Sequence, residues 1–478
     1  MVAPDPTEFG DVADAELCYL DLVEVGRRVQ AKELSSVEVT GAVLERIGRL
    51  DGRLKSYAAI TADLAMQQAE LADNEIRQGF RRGPLQGVPV AVKDLCDTQG
   101  IPTAAGMAIR REHRPRQDAT VVRRLREAGA VLLGKLQMTE GAYGQHHPSI
   151  EPPINPWSAE HWTGVSSSGS GVATAAGLCF GSLGTDTLGS IRFPSTMNGL
   201  TGLKPTWGRV SRAGVFPLAP SMDHVGPMTR SAGDAAALLG AIAGADVDDP
   251  TASHQAVPDY LGGIEDGVRG VRIGIDRALV ARGVDADMAR AVEEAAAVLS
   301  AAGALVRDIT LPSPDDVARD AVLQCGLEAA VVHAGTFPSR AAEYGPLLTW
   351  LLETGRMLDH AAVARIAVNR QAFRVQLDAL FGDIDLLLMP ASNTAAPTLL
   401  DMSPARRTPE AVQARIRITA PFDMSGHPAL TLPGGTTGAG LPVGFQIIGR
   451  HMEEGLVLRA GHAFQQATDW HRRHPPLD

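Results

Sequence analysis

Lysine is nearly missing from this chain of 478 residues. Of its 44 basic residues only five are lysine (Lys32, Lys55, Lys93, Lys135 and Lys204), which leaves 39 arginines. Arginine keeps its proton at any working pH, whereas a lysine can be made to lose it by its surroundings. Where arginine is the default cation, the retained lysines form a short list of candidate bases. Net positive charge is also missing: the formal charge of −11 excludes a nucleic-acid binder held by a general basic surface. Cysteine is sparse. Cys18, Cys96, Cys179 and Cys325 are scattered without a CxxC pair, so buried thiols in a reducing compartment are expected rather than a disulfide framework or a zinc site. No run of about 18 apolar residues occurs, so no transmembrane helix is expected. The opening stretch MVAPDPTEFGDVADAEL is acidic and lacks an apolar h-region. No secretory signal is read there, and the expected location is cytoplasmic.

Several catalytic signatures are absent as well. GAVLLGKL (129–136) departs from the phosphate-loop pattern at Leu136, which has no hydroxyl for magnesium, and its AVLL interior is strand-like. No serine sits in a GxSxG elbow, none lies three residues before a lysine, and there is no HExxH. His146 and His147 are neighbours whose rings diverge on a regular strand. None of the 13 histidines is assigned to a metal, and no cofactor is called for.

What is present is an ordinary globular composition, 45% hydrophobic and 21% charged. Ser36 is placed to cap a helix over VEVTGAVLERIGRL, and Thr61 one over ADLAMQQAELADNEIRQ. After the break GPLQG, the run VPVAV (88–92) predicts a buried strand ending at Lys93. A helix over 119–128 and a strand over AVLL (130–133) follow, and the alternation recurs in RIGI (272–275), a helix from about 285 to 301, ALVRDITL and DLLLMP (385–390). Such alternation predicts an α/β layered sheet with helices on both faces. With no repeat, charge block or linker, one domain over 1–478 is expected, its core at about 60–245 and 382–471, with 310–381 a variable, mainly helical cap.

Two glycine-rich segments remain. GVSSSGSGVATAAG (164–177) looks like a flexible tether in isolation, yet it joins INPWSAEHWTG to the small apolar helix VATAAGLC. In GTDTLGSIRFP (184–194), Gly189-Ser190 follows the strand-like CFGSLG and turns so as to expose a hydroxyl and several N–H groups. Amide hydrolysis needs a nucleophile, a proton acceptor and donors for the developing oxyanion. With no histidine in a suitable context, a lysine desolvated at the end of a buried strand serves as the base, and Lys93 is that lysine. Taken singly, Lys93 reads first as an ion-pair partner of Asp94 or a neighbour, and Ser190 as a turn serine.

Together these segments resemble the amidase signature enzymes. The resemblance runs through GVPVAVKDL (87–95), AVLLGK (130–135), TGVSSSGSGVATAAG (163–177), GTDTLGSIRFPSTMNGLTGLKPTWGRVS (184–211) and the tail HPALTLPG, GLPVGFQIIGR and HAFQQATDWH. It implies a layered α/β/α amidase-signature fold with a central mixed, largely parallel sheet. It also implies a Ser–cis-Ser–Lys triad. The family separates its two serines by 24 positions, and 190 − 166 = 24 selects Ser166 over Ser167, Ser168 and Ser170. By the resemblance, neutral Lys93 takes a proton from Ser166, which takes one from the nucleophile Ser190. The N–H groups of Thr187, Leu188, Gly189 and Ser190 form the oxyanion hole. Ser167 supports the lysine, and Asp186 with Arg192 braces the loop.

This sequence departs from the family at Val165 and Leu188, where glycine is usual, and at Leu136-Gln137, where Thr-Asn is common. These changes are expected to shape a roomier, more apolar pocket bordered by Gly141, Ala142 and Tyr143. The implied function is hydrolysis of a carboxylic amide, an aryl amide or a carbamate (urethanase activity) through an acyl-enzyme, without cofactor or metal. The implied partner is a small-molecule substrate, with no nucleic acid and no membrane, for a monomer or homodimer. The alternatives are one component of a glutamine amidotransferase, working on misacylated tRNA with partner subunits, and a non-catalytic binding protein on the same fold. The specificity region is expected in 310–420.

Overall fold

The buried apolar runs become strands of one sheet in a computed structural model that describes residues 14–403, 406 and 408–477. The stretch read for a secretory signal lies, up to residue 13, outside them. In chain order the strands are β1 (Tyr57–Ile60), β2 (Pro89–Lys93), β3 (Val131–Leu136), β4 (Gly181–Asp186), β5 (Thr201–Lys204) and β6 (His224–Thr229). They continue with β7 (Arg272–Ile275), β8 (Leu305–Asp308), β9 (Leu386–Pro390), β10 (Ala429–Thr436) and β11 (Pro442–Gly449). Their spatial order is β1-β3-β2-β4-β6-β5-β10-β11-β9-β7-β8.

The predicted α/β layering and mixed sheet are present. Parallel pairing fills two flanking blocks, β3-β2-β4 and β9-β7-β8. The centre between them is antiparallel, where a largely parallel sheet was expected. The reason is local: β10 and β11 are joined by the short turn TGAGL and close as a hairpin, which only antiparallel strands can do. Buried apolar side chains from Cys18 to Phe464 form one continuous cluster around the sheet. The four cysteines are free and buried. No helix among the described residues is long and apolar enough to cross a membrane.

Two helix starts differ in detail from their sequence signals. Ser35, not Ser36, caps the helix Ser36–Leu54: its side chain accepts from the Glu38 N–H, and the Glu38 carboxylate accepts from the Ser35 N–H. Ser36 is instead buried and donates to the Gly87 carbonyl at 2.8 Å. Thr61 does precede the helix Ala62–Arg77, but its hydroxyl donates to the Leu132 carbonyl rather than capping.

The serine-glycine stretch is the helix Ser168–Ala175, every residue of which is buried. A Cβ at Gly169 would stand 2.4 Å from the Ser56 carbonyl oxygen, and one at Gly171 2.7 Å from Asn198 Nδ2. Glycine is there for close approach, and the segment is no tether.

Strand order then positions the site. β2 and β4 are parallel neighbours, with Val92 opposite Leu183, so their carboxyl ends lie side by side. Lys93 is the last residue of β2, and the turn Thr187–Ser190 leaves β4 at the same edge. Open α/β sheets bind ligands at this end of their strands.

Candidate active site

Lys93 is fully buried, with Nζ 2.6 Å from Ser166 Oγ, 2.9 Å from Ser167 Oγ and 2.8 Å from Thr185 Oγ1. Asp94, its neighbour in sequence, pairs instead with Lys135 at 3.6 Å. Burial pushes the Lys93 pKa down to about 7, against weaker opposing pulls from Cys96, Asp186 and Asp223. The hydroxyl protons can be partly assigned. Ser167 Oγ donates to the Thr185 carbonyl at 3.1 Å and accepts from the Thr185 N–H at 3.2 Å. Its proton is therefore spent, and Ser167 can only accept from Lys93. The peptide bond between Val165 and Ser166 is cis.

The turn after β4 is braced from below. Asp186 accepts from the N–H groups of Gly189 at 2.6 Å and Ile191 at 3.0 Å, and from Arg192 Nε and Nη2, both at 3.0 Å. Arg192 also donates to Asp423 at 2.6 Å and to the Thr419 carbonyl at 2.9 Å. Burial opposes charge on Asp186, but the Arg192 guanidinium outweighs it and holds the carboxyl below the usual range. Asp423 goes the other way, pushed well up by burial and by the Asp186 charge. Thr187 Oγ1 donates to Asp223 at 2.7 Å, and Thr419 Oγ1 donates to the Leu188 carbonyl at 2.7 Å. Gly189 has φ +125°, and a Cβ there would stand 2.5 Å from the Phe193 ring. Among the described residues, Ser190 Oγ has no hydrogen-bond partner, and the N–H groups of Thr187, Leu188 and Ser190 have no acceptor. The Gly189 N–H, expected in the oxyanion hole, is committed to Asp186.

A cavity opens over Ser190, walled by Tyr143, Trp162, Val165, Leu188, Phe193 and Ile416. A second arm reaches Thr185 and is lined by Leu95, Phe216 and Asp223 among others. Ala142 and Leu218 line both arms. Val165 and Leu188 stand in the wall, as do Ala142 and Tyr143. Gly141 does not: its Cβ position faces Leu348 and His333, away from the cavity. Leu136 and Gln137 also lie elsewhere. Leu136 is buried in β3, and the Gln137 backbone exchanges hydrogen bonds with Ser56 and Gly169.

Residues 38–458 match the sequence model of the family described as Amidase. The chain belongs to the amidase family. It is 49% identical over 458 residues to the "Putative amidase AmiD" of Mycobacterium tuberculosis, covering 96% of each chain. It is 38% identical to a glutamyl-tRNA(Gln) amidotransferase subunit of Moorella thermoacetica, covering 97% of this chain and 99% of that one. Among solved structures, the native peptide amidase of Stenotrophomonas maltophilia superposes with a TM-score of 0.82 at 32% identity, covering 96% and 98% of the two chains.

In this amidase one side chain on the lysine has no counterpart among the residues singled out from the sequence. Thr185 is the third hydroxyl on Lys93. Its position on β4, one turn of alternation from Leu183 opposite β2, was available only once β2 and β4 were known to pair. His146 sets its Nε2 3.0 Å from Ser168 Oγ at the start of the serine-rich helix, and burial lowers its pKa to about 4. Asp423, Thr419 and Gln446, which complete the environment of Arg192, come from more than two hundred residues downstream.

Proposed function

We propose that this amidase cleaves the C–N bond of an aryl or other apolar carboxylic amide, or of a carbamate, by a serine–serine–lysine relay. The observation that carries the reading is a neutral-tending Lys93 within 2.6 Å of Ser166 beside an unpartnered Ser190 hydroxyl at the floor of an apolar cavity. A neutral amine has two N–H groups and one lone pair. Ser167 and Thr185 take the N–H groups, and the lone pair accepts the Ser166 proton while Ser166 accepts that of Ser190. The Ser190 Oγ–carbon bond forms as these protons move. The carbonyl oxygen becomes an oxyanion held by the N–H groups of Thr187, Leu188 and Ser190. Collapse breaks the C–N bond, and the relay returns a proton to the departing amine. Water then repeats the sequence on the acyl-enzyme and releases the acid.

The two arms suit a substrate with a group on each side of the scissile carbonyl, the apolar arm taking the bulkier one. Purified protein is to be assayed against primary amides, anilides, carbamates and esters, with Ser190→Ala and Lys93→Ala as controls. Turnover of anilides or carbamates by the isolated chain, lost in both variants, supports the reading. Turnover unchanged in Ser190→Ala would remove Ser190 as the nucleophile, and no turnover of any of these substrates by the parent chain would leave a binding protein on the same fold. A second reading is favoured by the likeness to the Moorella thermoacetica protein: amide hydrolysis that feeds ammonia to misacylated tRNA. That role predicts a chain inactive alone and rescued by partner subunits.

A further inference from the structure

At one end of the β10–β11 hairpin, three side chains with metal-binding atoms converge, none of which lines either arm of the cavity. Asp378 belongs to the helix His360–Leu380, His427 precedes β10, and His451 follows β11. The hairpin register pairs Ala429 with Ile448, so the chain just beyond each strand brings both histidines to one end of the sheet. The helix lays Asp378 against them. One ligand atom from each residue lies within 4.8 Å of the other two.

The distances suit coordination. Ligand atoms about 2.1 Å from a tetrahedral centre stand about 3.4 Å apart. His427 Nε2 lies 3.1 Å from Asp378 Oδ1, and His451 Nδ1 lies 3.5 Å from the same oxygen. The orientation of each ring is set on its far side. His451 Nε2 donates to the Ser425 carbonyl at 2.9 Å, which leaves Nδ1 without a proton and its lone pair facing Asp378. His427 Nδ1 lies 3.0 Å from Ser425 Oγ. His427 Nε2 is buried and makes no hydrogen bond among the described residues, because the carboxylate oxygen lies off its axis. The His451 Nδ1 lone pair and the Asp378 carboxylate oxygen repel at this separation unless a cation or proton sits between them. Arg374 lies 3.8 Å from the other oxygen, Oδ2, and leaves Oδ1 to the site. The His427 ring is further held by stacking on Phe381, with centroids 5.2 Å apart.

We propose that Asp378, His427 and His451 bind a divalent transition-metal cation of the zinc class, which clasps the helix His360–Leu380 to the end of the β10–β11 hairpin. Two imidazoles and a carboxylate suit zinc and its first-row neighbours, whereas magnesium and calcium favour all-oxygen shells. Three protein ligands leave a fourth position for water. The sequence conceals the set, since the three residues are spread over positions 378, 427 and 451.

The test uses the full chain, free of any histidine tag and stripped with a chelator, titrated with zinc chloride by calorimetry. About one equivalent is expected to bind and to raise the thermal midpoint. Asp378→Asn and His451→Ala, both at partly exposed positions and checked for folding by circular dichroism, are expected to abolish that equivalent. Ser425→Ala, which frees the far side of His427, is expected to weaken it about 10–100-fold. No binding by the parent chain, or an equivalent retained at the same affinity by Asp378→Asn and His451→Ala, would overturn the assignment. So would magnesium chloride binding as well as zinc.

Discussion

The pH dependence of turnover probes the lysine relay most directly. Burial lowers the Lys93 pKa from 10.5 to about 7. At neutral pH about half of the Lys93 side chains are then neutral, against about three in ten thousand for an unperturbed lysine. Only the neutral amine can take the Ser166 proton. From a midpoint near 7, the neutral share rises from about one-eleventh at pH 6 to about ten-elevenths at pH 8. The expected profile of kcat/KM, read with a chromogenic anilide, is therefore a rise of about tenfold over that interval followed by a plateau. Glu140 and Lys204 also titrate at about 7, so the midpoint needs an assignment. Thr185→Val supplies it. Thr185 Oγ1 accepts from Lys93 at 2.8 Å and helps the charged form. Its removal should move the midpoint to lower pH while lowering the plateau. A profile flat from pH 5.5, or one still climbing about tenfold per unit beyond pH 9, would refute the relay. A midpoint unmoved by Thr185→Val would assign the titration to another group.

Three further expectations concern the frame around the site. Arg192→Met leaves Asp186 and Asp423 buried without their shared cation, and urea denaturation should show a loss of about 3–5 kcal/mol. Leu188→Gly opens the apolar wall over Ser190; the preference between aromatic and short aliphatic amides should shift toward the larger acyl or amine groups, and an unchanged ranking would remove Leu188 from specificity. Ser35→Ala loses the capping box of the helix Ser36–Leu54 and should cost about 1 kcal/mol by thermal denaturation with activity intact.

Much of the scaffold was legible because buried strands announce themselves locally. VPVAV, AVLL and LLLM are continuous apolar runs and RIGI is apolar after its arginine, and each became a strand at or within a few residues of its reading. The antiparallel centre was harder to see, since apolar runs carry no direction. Helix capping failed by one residue at Ser35 and Ser36, where two adjacent serines compete: Glu38 completes a capping box with Ser35, and Ser36 is drawn into a buried contact with Gly87. Leu136 and Gln137 show the same limit. They stand beside Lys135 in a family motif, but β3 turns Leu136 into the core and the Gln137 backbone onto its neighbours.

By itself the sequence determined the cast of the chemistry: one lysine ending a buried strand, and two serines held at a spacing of 24 positions. That information is linear, carried by residue type and order. Tertiary structure decided the rest. Parallel pairing of β2 with β4 brought Thr185 to Lys93, and the hydrogen bond from Gly189 to Asp186 withdrew one N–H from the turn. It also turned Gly141 away from the cavity and gathered Asp378, His427 and His451 at one end of the hairpin. Each of these depends on which strands lie side by side and where a loop is pinned, and no local pattern of hydrophobic and polar residues encodes either.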